Sequence, residues 1–315
     1  FNTMMYNTWI IQSSICLTND ILDSGISPSV ISAIMKQQTT ERGRIVINEG
    51  LDIHGGSGIC VGYNNFIEKF YRSAPIGITV EGSNTLTRNL IIFGQGLNKS
   101  HPFIFPILDS ILMNNEDDFK KKLNKIIFHS SFLYLKSFFH VKKNLQQQVI
   151  HFSTLTNFVA LKGGKLKSEQ MLSGDMADIF SNLYLATCVQ YYHENHNASS
   201  ILTNYIINRL MRENQLKINK IIDNLGMEKY ILLHLKKNIQ YANYKEEKEI
   251  FQEIMKNKNI IEEIKKNIYI ENNILGDMEK LSNLMNDGLY DKKLEDKIIN
   301  VGELKNDEEK NLILK

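Results

Sequence analysis

Apolar positions recur at three- and four-residue intervals through most of this chain, and the pattern breaks at a few defined points. Asn2 to Leu22 predicts one helix, closed by Asp23-Ser24-Gly25. Ser27-Pro28 reads as the next start, an N-cap residue followed by Pro at the first helical position, where the missing N–H is not needed. That helix runs to about Asp52 and stops at Gly55-Gly56-Ser57-Gly58. Asn64 to Arg72 predicts a short helix before Pro75, and Ile76 to Val80 a β-branched extended run. Thr79-Val80-Glu81-Gly82-Ser83-Asn84-Thr85-Leu86-Thr87-Arg88 then joins that run to a helix with Leu86, Leu90, Ile91 and Phe93 on its apolar face. Glu116 to about Val141, Leu145 to Leu161, Glu169 to Tyr192 and Ser200 to Leu225 each carry helical periodicity. In the third of these Met176, Ile179, Phe180, Leu183 and Thr187 mark one face.

Proline and glycine divide the chain. All four prolines, and 11 of the 18 glycines, lie before residue 107. Residues 1–100 therefore read as helices with functional turns, 101–245 as a helical array, and 246–315 as a Lys/Glu-rich tail of solvated helices or disorder. The fold class expected is all-α. The chain opens at Phe1, inside an amphipathic pattern, and reads as part of something longer.

Composition narrows the function classes. Hydrophobic residues make up 43% and charged residues 23%, ordinary values for a globular protein. A net charge of +2 gives no broad field for nucleic acid. No apolar run reaches the roughly 18–20 residues of a transmembrane helix, since Ile126 to Val141 is interrupted by His129, Ser130, Ser131, Lys136 and Ser137. Cys16, Cys60 and Cys188 have no metal-ligand spacing and read as thiols of a reducing, cytoplasmic compartment. His193 and His196 are three apart at a helix end, without a second ligand pair for a metal.

Two segments carry candidate chemistry. The Gly55-Gly56-Ser57-Gly58 turn allows close backbone approach to a ligand, and serves equally as a helix C-cap. Glu81 at the joint can project into a cleft as a base, and can equally pair with the dipole of the helix that follows. Arg42 and Arg72 fit either phosphate contacts or a solvated surface.

The order of these elements resembles the C-terminal helical domain of the acyl-CoA dehydrogenases. Lys36-Gln37-Gln38-Thr39-Thr40-Glu41-Arg42-Gly43 is followed by Asp52-Ile53-His54-Gly55-Gly56-Ser57-Gly58, then by Phe66-Ile67-Glu68-Lys69-Phe70-Tyr71-Arg72, then by Ile78 to Arg88. Phe93-Gly94-Gln95-Gly96, His101-Pro102 and Gly174-Asp175 to Ala186 are similar to the bacterial FadE-type long-chain branch. The resemblance runs from Phe1 to about Leu225.

That resemblance implies an FAD-dependent conversion of acyl-CoA to trans-2-enoyl-CoA in fatty-acid β-oxidation. Glu81 matches the base that removes the α-proton while the β-hydride passes to flavin N5. The Glu81 N–H matches a donor to the thioester oxygen, and burial against the acyl chain would raise its pKa toward operating pH. Gly82 leaves room for substrate. Ser83 and Thr85 match flavin-nucleotide contacts. Asp52, Gly55 and Gly56 match the segment touching the FAD of a neighbouring subunit, which implies a homo-oligomer. The family commonly has Gln where Asp52 stands, and an acid there is awkward beside pyrophosphate. Arg42 matches a phosphate contact more weakly. An electron-transfer flavoprotein or similar acceptor is the implied partner, with peripheral membrane contact as a further option. A non-catalytic helical assembly module and an acyl-CoA oxidase are the alternative readings.

Overall fold

The computed structural model describes residues 1–61, 65–196, 198–240, 243–268 and 274–299. Among the described residues the chain is helical, without strands. In order the elements are α1 (Asn2–Asp23), α2 (Ser29–His54), α3 (Gly56–Ile59), α4 (Ile67–Thr79), α5 (Asn84–Leu86), a π-helical segment (Thr87–Gln95), α6 (Gly96–Ser100), α7 (Ile104–Leu112), α8 (Glu116–Lys136) and α9 (Asn144–Ala160). A 3-10 turn (Gly163–Lys167) leads to α10 (Gln170–His196), α11 (Ser200–Asn224), α12 (Glu228–Leu232), a second 3-10 turn (Leu233–Leu235), α13 (Tyr244–Lys256), α14 (Lys258–Lys265), α15 (Ile274–Asn286) and α16 (Lys292–Ile299). The tail is thus helical as far as it is described, and residues 300–315 lie outside the description.

The core forms around α10, which packs on α1, the π-helical segment, α9 and α11. Met176, Ile179 and Leu183 are buried as the periodicity predicts, Phe180 is half-buried, and Thr187 is exposed. The opposite side of α10 is buried too, through Ala177, Ser181, Leu185, Cys188 and Val189. Small residues on that side let neighbouring helices approach closely, and no single-face pattern reveals a helix enclosed all round. One hydrophobic cluster runs from Met5 on α1, through Ile92 and Phe93, to Ile260 on α14.

Four local expectations change. Ser27 does not cap α2: Pro28 holds the N-cap position at φ −85° and ψ 97°, and the helix begins at Ser29. Asn64 lies outside the described residues, and α4 begins at Ile67. Helix α4 then continues through Pro75 to Thr79, so Ile76 to Thr79 is helical and only Val80 is extended. Proline breaks a helix through its missing donor and a clash with the preceding turn. Packing of α4 on α2 overrides that penalty here, helped by Gly77, where a Cβ would stand 3.4 Å from Thr40 Cγ2. Finally, the segment after Glu81 winds as a π-helix, with i→i+5 bonds. Its buried residues are Thr87, Ile92 and Phe93, with Thr87 and Ile92 five apart, while Leu86 turns to solvent.

The core carries one histidine whose ionisation is linked to folding. His151 on α9 is buried, its Nε2 is 2.6 Å from the Gln147 side-chain nitrogen, and burial pulls its pKa down from 6.5 to about 4. The unfolded chain binds that proton more readily than the native one, so this contribution is complete above about pH 6.5 and is lost as pH falls toward 4. The loss should reach about 3 kcal/mol. Urea unfolding between pH 7 and 4 measures it, and His151→Gln should flatten the profile; an unchanged slope in that variant would remove His151 as the cause.

Candidate active site

The glycine turn precedes α4 and the Glu81 turn follows it. Helix α2 ends on Gly55, at φ 55° and ψ −133°, whose N–H donates to the Leu51 and Asp52 carbonyls. No atom lies within 4 Å of where a Cβ would stand at Gly55 or Gly56, so this backbone is open to close approach. Asp52 is exposed beside it. Behind the turn the buried Asn65 donates to the Gly58 and Cys60 carbonyls at 2.9 and 2.8 Å, and its Oδ1 accepts from the Ile67 and Glu68 amides at the start of α4.

At the other end of α4 the chain reverses through Glu81 at φ 55° and Gly82 at φ 85°. Glu81 and Asn114 are the only non-glycine residues at positive φ among the described residues. Such a conformation costs about 1 kcal/mol or more and persists only where the surroundings hold it. Glu81 itself is exposed. Ser83 is the N-cap of α5, its Oγ accepting from the Leu86 N–H at 3.3 Å, and Thr85 is exposed.

The residues that secure this turn come from α2. Lys36 Nζ donates to the Gly82 carbonyl at 2.7 Å and to Asn84 Oδ1 at 2.8 Å. Asn84, only 5% exposed, donates from Nδ2 to Thr40 Oγ1 and Glu41 Oε1 at 2.9 and 3.1 Å. Sequence spacing did not identify Lys36 or pair it with Asn84; the link spans more than 40 residues.

Arg42 corrects an expectation. It is buried, and its guanidinium donates to Asn7 Oδ1, Gln38 Oε1 and Asn182 Oδ1 at 2.8, 3.2 and 3.4 Å while lying over the Tyr6 ring. Its donors are thus directed into the α1–α2–α10 interior and do not reach a surface phosphate. Arg72 is an exposed residue paired with Glu68 on its own helix.

Arg88, at the start of the π-helical segment, donates from Nε and Nη2 to Asp178 at 2.8 and 2.6 Å and from Nη2 to Asp175 at 3.3 Å. Lys217 and Lys220 on α11 close the cluster against the same two carboxylates. Gly174 makes room for it: a Cβ there would stand 2.4 Å from Arg88 Nη1 and 2.6 Å from Asn89 Oδ1. Because Asp178 holds the guanidinium, Gly174→Ala should cost about 2 kcal/mol by displacing it. Equilibrium urea unfolding measures this, and unchanged stability would show that Arg88 can move aside freely.

The Phe93-Gly94-Gln95-Gly96 and His101-Pro102 motifs border a separate open groove of about 940 Å³, with Leu90, Gly94, Leu97, His101, Ile126 and Leu161 among its walls. His101 Nε2 is 3.1 Å from Asn157 Oδ1, and burial holds its pKa below the ordinary value. Glu81 does not line this groove. No group of three or more metal-ligating side chains occurs among the described residues, and His193 and His196 instead lie within reach of the Ala198 carbonyl and the Cys16 thiol. No helix among the described residues is long and apolar enough to cross a membrane.

A left-handed glutamate turn thus enters a helix inside an all-α array. The family profile described as acyl-CoA dehydrogenase, C-terminal domain, matches residues 17–94, which contain both turns. The profile described as acyl-CoA dehydrogenase, C-terminal, bacterial type, matches residues 134–313. The chain belongs to the acyl-CoA dehydrogenase family, in its bacterial C-terminal type. A crystal structure of acyl-CoA dehydrogenase complexed with FAD from Bacillus anthracis has a similar fold, with a TM-score of 0.61 at 19% identity over 83% of this chain. The chain spans 48% of that structure, about half its length.

Proposed function

We propose that this chain supplies the catalytic base and part of the flavin contact for α,β-dehydrogenation of acyl-CoA to trans-2-enoyl-CoA in fatty-acid β-oxidation. The observation that carries this reading is the Glu81 turn: an accessible carboxylate in a rarely adopted conformation, secured from a second helix, within a chain of this family. The Glu81 carboxylate removes the α-proton and holds it as the carboxylic acid. The Glu81 N–H donates to the thioester oxygen as negative charge develops there. When bound, flavin supplies the two-electron acceptor for the β-hydride. An acyl chain lying over Glu81 would exclude water and favour its basic function.

The residues present fit that cofactor. The exposed Gly55 and Gly56 backbone is open enough to lie against the nucleotide of a neighbouring copy in a homo-oligomer, and Thr85 offers an exposed hydroxyl to the chain's own side of the site. The exposed Asp52 carboxylate opposes an anion, so the contact falls to the glycine backbone. Ser83 acts through its cap on α5. Residues 1–100 carry these contacts, 101–245 buttress them, and an electron-transfer flavoprotein or similar acceptor removes the electrons. The test is anaerobic mixing of the flavin-loaded protein with a saturated acyl-CoA. Bleaching of oxidised flavin with Glu81 present, and its loss in Glu81→Gln, supports the reading; equal bleaching in both overturns it.

A further inference from the structure

We propose that Lys36 is a positioning residue for the base, which rests on the reading of Glu81 given above. Its half-buried ammonium is directed at the Gly82 carbonyl and the Asn84 amide oxygen, 2.7 and 2.8 Å away, and not at a carboxylate. Those two acceptors flank Ser83 immediately after Glu81, so one cation grips the turn on its exit side. Asn84 then returns to α2 one helical turn beyond Lys36, at Thr40 Oγ1 and Glu41 Oε1. The result is a closed clamp, Lys36 to Asn84 to Thr40, on the only stretch of the Glu81 joint with two consecutive left-handed residues. Left alone, a glutamate at φ 55° would relax toward negative φ. That rotation would move both the carboxylate that takes the α-proton and the N–H that faces the thioester oxygen. The charge on Lys36 also polarises the Gly82 carbonyl, strengthening the bond that holds the turn.

The structure thus gives Lys36 an effect on the rate of proton removal and little effect on acyl-CoA binding. The test uses the flavin-loaded protein, rapid anaerobic mixing with a saturated acyl-CoA, and the variants Lys36→Met, Lys36→Arg and Glu81→Gln. Lys36→Met should slow flavin bleaching by roughly 10- to 100-fold with little change in the acyl-CoA concentration that half-saturates it. Amide hydrogen exchange across residues 81–85 should rise in the same variant. Lys36→Arg keeps the charge and two donors and should restore bleaching to within about threefold of the parent rate. Full-rate bleaching by Lys36→Met, a loss that Lys36→Arg does not restore, or failure of Lys36→Met to fold would each overturn the positioning role. Glu81→Gln separates the two ideas. Normal bleaching there removes the base itself, whereas its loss beside a fully active Lys36→Met removes only the positioning by Lys36.

Discussion

Glu81→Gln is expected to abolish bleaching of bound flavin by a saturated acyl-CoA while leaving the fold intact. Gln is nearly isosteric with Glu and can occupy the same φ 55° turn, but it cannot accept the α-proton. A positioned general base contributes about 10²- to 10⁴-fold. A loss of at least about 10³-fold corresponds to about 4 kcal/mol in the barrier. The backbone N–H remains, so donation to the thioester oxygen survives and acyl-CoA binding should change little. Stability should stay within about 0.5 kcal/mol of the parent, since the side chain is exposed. Rapid-mixing absorbance gives the rate and urea unfolding gives the stability. A variant that bleaches at the parent rate would exclude Glu81 as the base; a variant that unfolds would make the residue structural.

Trp9→Ala should have the largest effect on stability. Trp9 on α1 is 1% exposed and packs edge-to-face on Tyr192 of α10, with ring centroids 5.7 Å apart. Tyr192 in turn donates from its hydroxyl to Glu263 Oε1 at 2.6 Å, tying α10 to α14. Truncating Trp9 leaves a large cavity where the early and late parts of the chain meet, at a cost of about 4 kcal/mol. The indole N–H has no hydrogen-bond partner, so no hydrogen bond is lost with it, and removing that unpaired buried donor offsets part of the cost. A drop of roughly 10 °C in Tm should follow, given the usual scaling for chains of this size class. Phe132→Ala serves as the control, because its side chain is 54% exposed on α8. Equal Tm values for Trp9→Ala and the parent would show that α1 is not part of the cooperative unit.

The helices were legible because their signal is local and repeated. Asn2–Asp23, Ser200–Asn224 and Asn144–Ala160 fall within a few residues of the apolar periodicity that predicts them. The Glu81-Gly82 joint was legible too, since a charged residue before glycine interrupts two apolar runs. The course of the chain into that joint was not legible. Ile76 to Thr79 is β-branched in composition and follows a proline, so local propensity favours an extended run, whereas packing on α2 makes it helical. Arg42 shows a different limit: a lone arginine in a helix pattern carries no mark of the three interior oxygens that receive its guanidinium. Lys36 and Asn84 lie 48 residues apart, and nothing in either neighbourhood announces the partner. Local order records which residues repeat, and long-range hydrogen bonds leave no such periodic trace.

The enclosure of α10 has a consequence for how this chain can change over time. Nearly every position from Ser173 to Tyr192 meets another part of the protein, and the same helix presents Asp175 and Asp178 to Arg88. A one-residue insertion after Asp178 would rotate everything on one side of it by about 100° relative to the other. It would carry the two aspartates away from Arg88 or turn the rest of the helix out of the core. Drift in α10 is therefore confined to compensated exchanges of nearly equal volume. Helix α8 contains no buried residue, so its substitutions meet no comparable packing constraint within this chain. The two helices should accordingly diverge at very different rates among descendants of this gene.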